Sequence, residues 1–173
     1  MLNHLITSMV FLPAFGALVQ GLSPAFARGR VNVERWLSFA FSAAASLCGL
    51  ALVMRLDLNA VGPQAGEVLP WIGSYSISYE MGVDGLSALF ILLISLIFPI
   101  LIAYEWDAPR GARGLHGLLL VLQAALFGTV CAQDLFLLFF FWAMSALPCY
   151  FLIGIWGGAG SESAAFRSIV SSS

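Results

Sequence analysis

Residues 132–158 read AQDLFLLFFFWAMSALPCYFLIGIWGG, and this stretch decides the fold of the chain. After Asp134, the 22 residues from 135 to 156 carry no formal charge. At a rise of 1.5 Å per residue, a helix over this segment is roughly 33 Å long, which suffices to cross a bilayer core of about 30 Å. Pro148 has no N–H, so the carbonyl of Met144 loses its helical donor and needs another in hydrocarbon. The stretch is therefore predicted to be a membrane-spanning helix packed among other helices.

The composition places the whole chain in a membrane. Of the 173 residues, 61% are hydrophobic and 9% are charged, whereas about 25% of the residues of a soluble domain are charged. All seven basic residues are arginines, and the net charge is −2. Without a basic patch to neutralise phosphates, a nucleic-acid partner is excluded. The composition predicts an all-α integral membrane protein.

Four further apolar segments precede the stretch, so the sequence predicts one membrane domain, residues 1–173, with five transmembrane helices. The expected spans are residues 5–22, 37–54, 86–104, 115–131 and 135–156. Between the second and third spans, the alternation of Tyr75, Ile77 and Tyr79 predicts a short strand or hairpin on the membrane surface.

The loops predict how the chain is oriented. Arg55 stands alone on one side, and the loops of the other side carry Arg28, Arg30, Arg35, Arg110, Arg113 and Arg167. The positive-inside rule then puts the N-terminus outside and the loops 28–35 and 105–114 in the cytoplasm. Small residues at 23–27 resemble a signal-peptide cleavage site, but residues 1–4 contain no Lys or Arg, so we expect a retained first helix.

Two parts of the sequence resemble a known family. DLFLLFFFW at 134–142 and LPCYFLIGIWGG at 147–158 closely resemble the fifth helix of the antiporter-like chain M of respiratory complex I, the proton-pumping NADH:quinone oxidoreductase. Trp71 and ISYEMGVDGLS at 77–87 are similar to that family's entry into its third helix. With the order of the other helices, the resemblance spans nearly the whole chain, which corresponds to the N-terminal helices of a longer subunit.

The resemblance implies a membrane-arm subunit of a respiratory complex in the cell inner membrane, whose partners are other membrane subunits and the lipid bilayer. It implies a role in proton transport. The NADH, flavin, iron–sulfur and quinone chemistry of that complex belongs to other subunits, so we expect no cofactor, no catalytic centre and no directly bound small molecule in this chain. Antiporter-like subunits of membrane-bound hydrogenases and of multisubunit cation/proton antiporters stay open as alternatives.

The resemblance also implies site residues, and one of them differs. The family has a membrane-embedded Glu directly after the Phe-Trp pair, where this chain has Ala143. The proton-path candidates that the resemblance implies are Asp84, Asp134 and Arg167, the last through a looser match to the start of the family's sixth helix. The simpler role for Asp84 is the N-cap of the third span.

The expected spans contain no Asp, Glu, His, Lys or Arg near their centres. Their central polar residues are Ser46, Ser95, Gln123, Ser145, Cys149 and Tyr150. Because proton transfer through a bilayer needs a titratable group at depth, the chain is predicted to be structural rather than pumping alone. It is then either a fragment of a longer subunit or a degenerate paralogue kept as a structural element. Gln123 is expected to hydrogen-bond across to another helix.

No other chemistry is predicted. Cys48, Cys131 and Cys149 lie in or at the end of apolar segments without paired spacing, which argues against a disulfide or a metal site. His4 and His116 are isolated from each other and from the cysteines. The glycines at 157–160 follow a span and not a strand, so they do not form a phosphate-binding loop.

Overall fold

The computed structural model describes residues 5–22, 31–56, 62–72, 77–105 and 114–156. These residues form five helices and one antiparallel pair of strands: α1 (Leu5–Leu22), α2 (Val31–Val53), β1 (Gln64–Ile72), β2 (Ile77–Val83), α3 (Gly85–Tyr104), α4 (Leu115–Cys131) and α5 (Leu135–Trp156). The predicted helical membrane fold with a hairpin between the second and third helices is confirmed. Tyr75, on which the hairpin was predicted, lies outside the described residues.

The helix lengths suit a bilayer. Four helices are long and apolar enough to cross it, and α4 is a shorter apolar helix of 17 residues. That number is at the lower limit of about 17 residues for a spanning helix. α2 begins at Val31, earlier than the expected residue 37, and carries Glu34 in its first turn. An acid in the first turn is stabilised by the helix dipole, so the helix starts within the charged segment and not after it.

The centre of the bundle is α4, which packs against α1, α2, α3 and α5. Its side chains Leu120, Gln123 and Phe127 are fully buried. α1 lies between α2 and α4, and α3 packs on α2 and α4. α5 packs mainly on α4, so a large part of its surface is left exposed.

Small residues set the distance between the helices. Gly128 of α4 lies directly against the ring of Phe141 on α5, where a Cβ atom would overlap the ring carbons. Gly16 of α1 meets Phe41 of α2 in the same way, since a Cβ there would lie 2.7 Å from the ring. Close approach over small residues is how apolar helices gain packing energy in a membrane, where the hydrophobic effect does not drive helices together.

The hairpin is fixed to the turn between α4 and α5. Met81 of β2 forms a bridge with Ala132, and the backbone N–H of Gln133 donates to the carbonyl of Glu80 at 3.0 Å. The Gln133 side chain also donates to the carbonyl of Gly82 at 3.3 Å. Met81 is fully buried. The hairpin therefore packs over the ends of the helices.

Candidate functional site

α5 carries the residues that the family resemblance singles out, and it presents two different faces. Leu137, Phe141 and Pro148 are buried, and Met144 packs against the core beside them. Their spacing of four, three and four residues puts them on one stripe of the helix. This stripe forms the contact with α4.

Ala143 lies on the opposite side of α5. Its methyl group is exposed, as are the neighbouring side chains of Phe139, Trp142 and Leu147. Residue 143 therefore points away from α1–α4. A larger side chain at this position would meet groups outside the described bundle and would not disturb the contact between α4 and α5.

Asp84 is the N-cap of α3, which confirms the simpler of its two expected roles. Its backbone is extended (φ −103°), and its Oδ1 accepts from the backbone N–H of Ser87 at 2.7 Å. This hydrogen bond holds the pKa of the Asp84 carboxyl below its usual value of 3.8. The Ser87 hydroxyl donates to the carbonyl of Val130 at 2.9 Å, which ties the start of α3 to the end of α4.

Asp134 has a similar place at the start of α5. Its Oδ1 accepts from the backbone N–H of Phe136 at 3.2 Å, and its carbonyl accepts from Leu138 at 2.9 Å. α3 and α5 both begin at the end of the bundle that carries the hairpin, so the two acids share that end. Ala143 lies nine residues further along α5, roughly 14 Å deeper. Arg167 lies outside the described residues.

A buried polar cluster between α2 and α4 adds to what sequence reasoning had found. Ser38, Ser42 and Ser46 recur every four residues on the inner face of α2, where they are 0%, 0% and 7% exposed. The fully buried Gln123 of α4 donates to the Ser42 carbonyl at 3.4 Å and to the Ser46 hydroxyl at 3.2 Å. The expected cross-helix bond of Gln123 is thus confirmed. The four-residue spacing of the serines is the sequence signal that could have identified its partners.

Polar groups also gather at the opposite end of the bundle from the hairpin. Gln20 of α1 donates to the Ser38 hydroxyl, which in turn donates to the carbonyl of Glu34 at 2.7 Å. His116 is the second residue of α4, and its side chain is half-buried. Within the described ranges, no three His, Cys, Asp or Glu side chains are placed to hold a metal ion.

Curated quinone oxidoreductase subunits match this chain along nearly its whole length. NAD(P)H-quinone oxidoreductase chain 4-2 of Synechocystis sp. is 32% identical over 173 residues, which cover 98% of this chain and 30% of that protein. NADH-quinone oxidoreductase subunit M of Rhodobacter capsulatus is 31% identical over 171 residues, which cover 96% of this chain and 32% of that protein. The chain is therefore homologous to part of the subunit M/chain 4 proteins.

This subunit M homologue spans about 30% of the length of the curated relatives that it matches. Its fold is shared with larger membrane assemblies of known structure. A chain of respiratory complex I from Thermus thermophilus superposes with a TM-score of 0.74 at 22% identity, over 98% of this chain and 32% of that one. A chain of the Mrp complex from Dietzia sp. gives 0.70 at 21% identity, over 94% and 17%. No protein-family model matches the subunit M homologue.

Proposed function

We propose that this subunit M homologue is a membrane-arm component of a proton-translocating NADH:quinone oxidoreductase, with a structural and not an independently pumping role. The observation that carries the proposal is the homology over nearly the whole chain, together with Ala143 at the position where the family resemblance implies a glutamate. The other membrane subunits of such a complex would be its partners.

The distribution of charge supports the structural role. Within the described helices, acidic and basic side chains are confined to the ends: Glu34 lies in the first turn of α2 with Arg35 next to it, and Asp84 and Asp134 lie beside α3 and α5. Burying a charge at membrane depth is costly, and an ionisable group there is the usual mark of a proton path. The central polar groups of these helices are amides, hydroxyls and the Cys149 thiol, and no carboxyl, imidazole or guanidinium group is among them.

The exposed side of α5 supports the need for partners. The large side chains Phe136, Phe139, Phe140, Trp142, Leu147 and Phe151 are all exposed on it. In a longer subunit or a complex, further helices would cover this side, and a residue at position 143 would face them.

The proposed assembly is tested by purifying the chain, with an affinity tag, from the membranes of its own cell in a mild detergent. We expect the other membrane subunits of a quinone oxidoreductase to co-purify. Subunits of a multisubunit cation/proton antiporter or of a membrane-bound hydrogenase would instead favour one of the two alternatives left open by the sequence. Recovery of the chain without any other membrane subunit would contradict the proposal.

We also propose the orientation that the arginines imply, with the N-terminus outside the cell inner membrane. Single cysteines at Gly29 and Ala112, introduced after Cys48, Cys131 and Cys149 are replaced by Ala, provide the test. Both should react with an impermeant thiol reagent only from the cytoplasmic side. Reaction of either one only from outside would reverse the orientation.

A further inference from the structure

The buried cluster on α2 and α4 contains two polar side-chain atoms that form no hydrogen bond with the described residues. Gln123 is 0% exposed, and its Oε1 has no hydrogen-bond partner among the described residues. The hydroxyl of Ser42, also 0% exposed, has none there either. A buried polar atom without a hydrogen-bond partner destabilises the folded state, and more strongly where the surroundings offer no hydrogen bonds.

The orientation of the Gln123 amide follows from its neighbours. A backbone carbonyl can only accept a hydrogen bond, so the Ser42 carbonyl requires the amide nitrogen, Nε2, on its side at 3.4 Å. The same nitrogen donates to the Ser46 hydroxyl at 3.2 Å. Turning the amide over would place two acceptors against each other. Oε1 therefore keeps its lone pairs free on the other side of the amide.

The two unused groups have complementary requirements. Oε1 of Gln123 only accepts, whereas the Ser42 hydroxyl can donate and accept. They belong to residues that already touch through the Ser42 carbonyl. A molecule that donates to Oε1, and that either donates to the Ser42 hydroxyl or accepts from it, would satisfy both groups, and water has that capacity. A cation is disfavoured, because the donors of the Gln123 amide point into the same cluster and no carboxylate is among its residues.

The cluster also has a route to its surroundings. Ser46, which accepts from Gln123, is at the same time part of the wall of a groove of about 650 Å³ between α2 and α3. Ser95 of α3 lines the same groove. Only the Ser46 side chain thus separates the cluster from the groove, which a small molecule can enter.

We propose that one water molecule binds between α2 and α4 and bridges Oε1 of Gln123 to the hydroxyl of Ser42. The water completes the hydrogen bonding of the cluster and fixes the packing of α2 against the central helix. It would be a structural water, since neither the Gln123 amide nor the Ser42 hydroxyl changes its charge near neutral pH.

The test uses the full chain in lipid vesicles, with nitrogen-15 in the side-chain amides of its four glutamines, Gln20, Gln64, Gln123 and Gln133. Solid-state NMR measures magnetisation transfer from water to each amide. We expect transfer to the Gln123 amide in the unaltered chain. The signal is assigned through the neighbouring residues of α4, so the assignment needs no variant.

Two variants determine whether the water bridges the proposed pair. Ser42→Ala removes one partner of the water and should abolish the transfer to Gln123. The matched control is Thr129→Val, because the Thr129 hydroxyl donates within α4 to the carbonyl of Ala125 at 2.8 Å; its loss should leave the transfer unchanged. If the unaltered chain shows transfer at the exposed Gln133 but none at Gln123, the proposal is wrong. It is equally wrong if the transfer at Gln123 persists in Ser42→Ala.

Discussion

The contact between α4 and α5 requires a residue without a side chain at position 128, so Gly128→Ala is the sharpest test of the packing. A Cβ at position 128 would overlap ring carbons of Phe141. The Phe141 ring is 6% exposed. It therefore has little room to withdraw, and α5 must shift away from α4 or the ring must leave its position.

The expected magnitude follows from two opposing effects. Overpacking of a well-packed contact costs about 1–3 kcal/mol. Replacing a helical Gly by Ala also brings a favourable propensity of up to about 1 kcal/mol. Gly21→Ala provides the matched control, because Gly21 also lies in the last turn of its helix and a Cβ there meets nothing within 4 Å. We therefore expect Gly128→Ala to be less stable than Gly21→Ala by about 1–3 kcal/mol.

Unfolding of the chain in bicelles, followed by circular dichroism as SDS is added, measures the difference. Phe141→Leu in the Gly128→Ala background should recover part of the loss, because the smaller side chain makes room for the new methyl group. The two substitutions should then be non-additive, as expected of residues in contact. Equal stability of Gly128→Ala and Gly21→Ala, or strict additivity of the pair, would refute the argument.

Three further predictions concern the helix ends and the open face of α5. Asp84→Ala should lower the free energy of unfolding at pH 7 by about 1 kcal/mol through loss of the cap to Ser87, whereas Asp84→Asn should retain most of the stability. The pKa of Asp84 is lowered in the folded state, so the ionised carboxylate stabilises the fold above the unfolded-state pKa of 3.8. This stabilisation is lost as the pH falls through the lowered folded-state pKa. Unfolding curves from pH 7 to pH 3 should therefore show the difference in unfolding free energy between the unaltered chain and Asp84→Asn becoming smaller. Gln133→Ala removes the side-chain hydrogen bond to the Gly82 carbonyl. Amide hydrogen exchange in β2 should become roughly two- to tenfold faster, equivalent to about 0.5–1.5 kcal/mol. Unchanged exchange would disprove that Gln133 holds the hairpin against the helix ends. Ala143→Glu should give no proton flux above that of empty vesicles after a pH jump, because the isolated carboxyl would stay neutral at this depth; a flux from either this variant or the unaltered chain would contradict the structural role.

The helices of this fold could be predicted from the sequence because each apolar run has a sharp end. The bounds of α1, α4 and α5 coincide with those of the apolar runs in the sequence. The start of α2 could not be predicted, because Glu34 and Arg35 look like loop residues in a hydropathy pattern, although an acid such as Glu34 is stabilised in a first helical turn. Hydropathy reports the part of a helix within hydrocarbon, and α2 extends beyond that part.

The contacts between side chains of different helices were harder to predict from the sequence than the helices themselves. That Gln123 would bond to another helix could be inferred from its isolation among apolar residues. That it would meet Ser42 and Ser46 depends on which helices are neighbours and at what register, and α2 and α4 are separated by α3 in the chain. The roles of Gly16 and Gly128 were hidden for the same reason, since a glycine in an apolar run has no signature until its facing aromatic ring is known.

α5 separates the residues that hold the fold from the position that the family resemblance links to proton transfer. Leu137, Phe141, Met144 and Pro148 form the stripe against α4. At about 100° per residue, position 143 lies about 130° around the helix from the centre of this stripe. A glutamate there would find no partner among α1–α4 and would depend on groups beyond the described residues. Conversely, alanine at 143 removes the acid without loosening the contact between α4 and α5. This arrangement explains how the chain can keep the fold of its relatives with alanine at position 143, and it is the physical basis of the structural role that we propose.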